Sequence, residues 1–100
     1  MPELFFNDLV DADALAIIDS MWKLLPKDLC SYVTSNCHND QEIDAAITIL
    51  DYSLVAKLPV PIDTLNRARE LAHKLTHEAD IRRINALVLE LQEVQSTTNS

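Results

Sequence analysis

The sequence predicts an all-α fold, a compact bundle of four to five short helices, largely antiparallel. Three observations lead there. The 100 residues contain no glycine. Prolines fall in the gaps between patterned stretches. Within those stretches the apolar residues recur at intervals of three and four, the spacing of one helical face. Glycine serves positive φ and close backbone approach, so tight hairpins and sheet-rich folds depend on it. Helices joined by short loops manage with asparagine, aspartate and proline.

Residues 1–7 read as an arm whose Leu4, Phe5 and Phe6 tuck onto the body. Asn7, Asp8 and Asp11 are candidate N-caps, and acids suit this end of a helix dipole. The first helix then carries Ala14, Ile17, Ile18, Met21, Trp22 and Leu25 on one face. Pro26 ends it and opens the next. The second helix, over 27–36, lines one face with Leu29, Cys30, Val33 and Cys37. Asn39 and Glu42 stand three apart, a variant capping box for a third helix that runs to about Lys57. Its stripe is Ile43, Ala46, Ile47, Leu50, Leu54 and Leu58. Ala45 and Ile49 widen it, which predicts a central position.

Pro59-Val60-Pro61 is a firm stop. A fourth helix starts at Pro61 or Asp63 with the stripe Leu65, Ala68, Ala72, Leu75 and Ala79. Glu70 and Lys74 form a favourable i,i+4 pair there. The last stripe, Ile81, Ile84, Leu87, Val88, Leu91 and Val94, is out of phase with the one before it. A break near 79–80, with Asp80 as cap, explains the shift. One long helix whose buried face rotates, supported by Glu78 and Arg82, is the alternative. The domain is expected to span 1–95, followed by a disordered polar tail at 96–100.

The charge is −8. Residues 1–63 hold 11 acids against 3 bases, and residues 64–100 hold five of each. Such a field repels nucleic acid and anionic membrane and attracts basic partners. The acidic start, lacking a basic leader, and the absence of any long apolar run predict a cytoplasmic protein. Cys30 and Cys37 are seven positions apart, about 10 Å along one helix, too far for a disulfide.

Catalytic constellations are thin. Cys37 and His38 lack a glycine-rich turn to build an oxyanion hole, so no enzyme, cofactor or resident metal is expected. Asp8, Asp11 and Asp13 do not have the glycine and distal glutamate of a calcium loop. Arg67, Arg69, Lys74, Arg82 and Arg83 are interleaved with acids, which opposes a nucleic-acid reading. Glu70, His73 and His77 at helical spacing suggest an alternative, a metal- or pH-responsive sensor. The leading expectation is a non-enzymatic protein-binding module: an inhibitor, immunity-type protein, chaperone or regulatory adaptor. Its partner is another protein or a second copy, most simply in a dimer. Leu89, lying off the final stripe, makes the last helix apolar over a wide arc. The expected contact residues are therefore Trp22, Ile84, Leu87, Val88, Leu91 and Val94.

Overall fold

The computed structural model describes residues 8–39 and 41–99. The arm at 1–7 expected to carry Leu4, Phe5 and Phe6 lies outside them. Five α-helices follow in order: α1 (Asp8–Met21), α2 (Lys27–His38), α3 (Glu42–Ala56), α4 (Ile62–Lys74) and α5 (Glu78–Asn99). A 3-10 turn, Trp22–Leu24, extends α1. The fold is an all-α bundle, as the glycine-free, proline-punctuated sequence predicts.

Four helices form a ring in the cyclic order α1, α3, α5, α4, each packed on the next. Helix α2 lies outside the ring and packs chiefly on α3. Hydrogen bonds and ion pairs set directions. Asp13 meets Lys74 and Ser20 meets Thr64, so α1 and α4 are antiparallel. Helices α4 and α5 pack together across a three-residue link, which requires the same reversal. Asp51 meets Arg83, and beyond α3 the Val60 amide meets Gln95, so α3 and α5 advance in the same sense.

The core is continuous. Ala14, Ile17, Ile18 and Met21 of α1 meet Ala46, Ile49 and Leu50 of α3, Leu65, Ala68 and Leu71 of α4, and Ile84, Leu87, Val88 and Leu91 of α5. Helix α3 buries residues over a wide arc because it is flanked by α1, α2 and α5. The sequence predicts a central position for this helix, and α3 packs against three others. Leu71, wholly buried, belongs to the α4 stripe although the three-and-four spacing chosen from sequence stepped past it.

Local chemistry explains the helix ends. The carbonyls of Pro26 and Pro61 accept the first amide bonds of α2 and α4. The capping box expected at the start of α3 is not formed. Asn39 instead ends α2, its amide bonding the Ser35 and Asn36 carbonyls, and Gln41 precedes α3 without a side-chain cap bond. Helix α3 closes with Lys57 in the left-handed conformation at φ 58° and ψ 42°. The Leu58 amide reaches back to Ser53 and the Lys57 amide to Leu54, the 6→1 and 5→2 bonds of a Schellman motif.

The break between α4 and α5 falls at 75–77, ahead of the expected 79–80. Leu75 turns extended and half-buried, and the His77 carbonyl receives the Ile81 amide. Ala79 therefore lies exposed in the first turn of α5 instead of closing the α4 stripe. The Glu78–Arg82 pair forms, but both residues lie beyond the break. Helix α5 continues through the polar residues 96–99 expected to form a tail.

Candidate contact surface

The contact residues expected on α5 are built into the core. Ile84, Leu87, Val88 and Leu91 are all buried within this chain. The reason is the ring: α5 is covered by α3 on one side and α4 on the other, so one chain supplies both covers. Leu89 does not widen the stripe. It stands on the opposite side of α5 at 63% exposure. Val94 is half-buried and lines a shallow apolar groove with Leu58, Val60 and Ile62. Of the expected contact residues, Trp22 alone is classed as exposed.

Trp22 has a local setting that the sequence did not show. From Ala12 onward, α1 buries Asp13, Ala14, Ile17, Ile18 and Met21. At 100° per residue Ala12, Leu15, Asp19 and Trp22 fall outside that arc, with Trp22 nearest its edge. Leu15 is 46% exposed and Trp22 38% exposed, and Leu24 in the 3-10 turn is 44% exposed. Leu15 and Trp22, seven residues apart, thus share one exposed flank of α1, and Leu24 is exposed two residues further on in the 3-10 turn. Trp22 adjoins Ile18 on the helical wheel, at the edge of the buried arc, which is why the sequence pattern assigns it to the core.

On the opposite side of α1, facing α4, lies a buried charge. Asp13 is 2% exposed, yet it carries a carboxylate. One oxygen accepts from Arg67 Nη1 at 3.1 Å and the other from Lys74 Nζ at 2.6 Å. Both cations come from α4, one turn or more apart, and both keep contact with solvent. Burial of a carboxylate is tolerable only with such satisfaction. The sequence groups Arg67 and Lys74 with the surface bases, and pairs Lys74 with Glu70. In the fold Lys74 bonds Asp13 instead. Asp63, Asn66 and Glu70 line the same open cleft.

The histidine cluster does not assemble. Glu70 and His73 are exposed on α4, whereas His77 sits in the link where helical spacing no longer holds. Among the described residues no three His, Cys, Asp or Glu side chains gather as a metal-binding group. Both cysteines are free and half-buried on α2. Burial, with the Glu42 carboxylate adding to it, pushes the Cys37 thiol above its ordinary pKa. That is opposite to the shift a nucleophilic thiol needs. Among the described residues no helix is long and apolar enough to cross a membrane.

Comparison with protein-family models, with curated proteins and with solved structures finds no significant match to this chain.

Proposed function

We propose that this chain is a non-enzymatic protein-binding module, of the inhibitor, immunity-type, chaperone or adaptor kind, and that its contact surface is the outer ridge of α1. The observation that carries the reading is the pair Leu15 and Trp22, both exposed on one flank of α1 and the start of its 3-10 extension. Single exposed apolar residues are ordinary, but aligned ones that include tryptophan are enriched where proteins bind. The core is already closed without them, so folding does not explain why they are apolar.

The partner is a different protein rather than a second copy. The case for a dimer rested on the α5 stripe, and that stripe is now internal. A net charge of −8 also opposes self-association and favours a partner of basic character. Occlusion of that partner's surface is the mechanism; no bond-making is invoked.

Affinity capture from the native host, comparing the wild-type chain with a Leu15→Ser/Trp22→Ser variant, tests this. The variant should keep the wild-type circular dichroism and melt within a few degrees, because neither residue belongs to the core. Proteins retained by the wild type and lost by the variant support the reading. Equal retention by both, or capture of further copies of the same chain alone, overturns it.

A further inference from the structure

We infer that α2 is a strap that opens as a unit from a bundle that stays closed. Helices α1, α3, α5 and α4 close on one another in a ring, and α2 is outside it. Its removal leaves every side of that ring in place. Helix α2 buries only Val33 and Asn36, whereas α3 buries six residues. Leu29, Cys30 and Cys37 pack against the core but remain half-covered.

Asn36 gives the closed state a specific weakness. The residue is buried, and among the described residues its Nδ2 has no hydrogen-bond partner. A buried donor without an acceptor loses its hydration and gains nothing in return. Opening returns that amide to water. The flanks permit the motion as well. Leu25 and Pro26 are extended on one side, and the non-helical residues Asn39 and Gln41 flank the link to α3 on the other. Elements with few buried apolar contacts are those that open below the global unfolding limit. The open form uncovers the inner row Leu29, Val33 and Cys37, together with the α3 surface beneath it. That apolar surface is hidden while the strap is shut, so the chain carries a second, conditional face besides the α1 ridge. This inference does not depend on the ridge reading.

Hydrogen exchange of the full chain, read by mass spectrometry, tests it together with alkylation of the thiols by iodoacetamide at fixed pH. The amides from Cys30 to His38 should share one protection level, about tenfold or more below that of the α3 and α5 interiors. Asn36→Leu removes the unpaired donor at similar volume. It should slow exchange in α2 by about fivefold or more and leave α3, α4 and α5 unchanged. Cys37 alkylation should slow in the same variant and speed up in Val33→Ala. Equal protection of α2 and α3 overturns the proposal. So does an Asn36→Leu effect spread evenly over all helices, which signifies global unfolding, or a Cys37 rate indifferent to both substitutions.

Discussion

Asp13 and its two cations respond differently according to which side of the pair is removed. Asp13→Asn leaves Arg67 and Lys74 with access to solvent, where both re-solvate. The expected loss is about 1 kcal/mol, the net worth of an ordinary polar contact. Removing the cations together, as Arg67→Leu with Lys74→Met, leaves a buried carboxylate unpaired. That loss should reach about 3 kcal/mol. Urea midpoints with unchanged slopes measure both, and equal losses would show that Asp13 reaches water in the folded chain. Nothing in the sequence distinguishes Asp13 from Asp8 and Asp11. Its burial follows from facing α4, a long-range fact that only the helix packing supplies. Cys37 is a second residue with a signed expectation. Its thiol pKa is raised in the fold, so the folded chain holds the proton that the unfolded chain releases. Stability from this site is present below the ordinary thiol pKa and declines as pH rises toward the folded value. Alkylation of Cys37 should accordingly need a higher pH in the native chain than in urea.

At the scale of elements, the boundaries were most legible where proline sets them and least where a polar side chain had two possible uses. Pro26 and Pro61 mark the starts of α2 and α4 to within a residue, because proline cannot sit in a helix interior. Asn39 suited both the end of α2 and the start of α3. The structure uses it for the end, since its amide completes the carbonyls of Ser35 and Asn36. The α4–α5 break was readable from the phase of the stripes but not from their caps. Lys57 is the clearest exception to the glycine argument. A chain without glycine still ends α3 in the left-handed region, and a lysine accepts the strain. A residue with a Cβ is disfavoured there by about 1–2 kcal/mol. Lys57→Gly relieves that strain but loosens the unfolded chain, so the net gain should be about 1 kcal/mol. In a domain of this size that is roughly 4–8 °C in Tm. A calorimetric melt that stays put or falls would mean that the lysine side chain contributes something the backbone geometry does not show.

For the whole molecule, the sequence identified the apolar stripe of α5 and misjudged what covers it. Periodicity shows which residues share a face but not whether the cover is another segment or another chain. Here α3 and α4 close over α5, so Leu91→Ala should destabilise by about 2–5 kcal/mol. Leu89→Ala, on the outer side of the same helix, should stay within about 0.5 kcal/mol. The net charge acts at this scale too. Among the described residues, two of the cations meet the same buried Asp13. The excess carboxylates repel one another more in the compact state than in the expanded one, so the charge loosens the fold. Salt shortens that repulsion: the Debye length falls from roughly 30 Å at 0.01 M to about 8 Å at 0.15 M, less than the width of the bundle. The urea midpoint should therefore rise between those two concentrations. Exposed ion pairs such as Glu78–Arg82 lose strength over the same range, but each contributes less than about 1 kcal/mol. A midpoint that falls with salt would show that local attraction, not the excess of −8, governs the electrostatics of the fold.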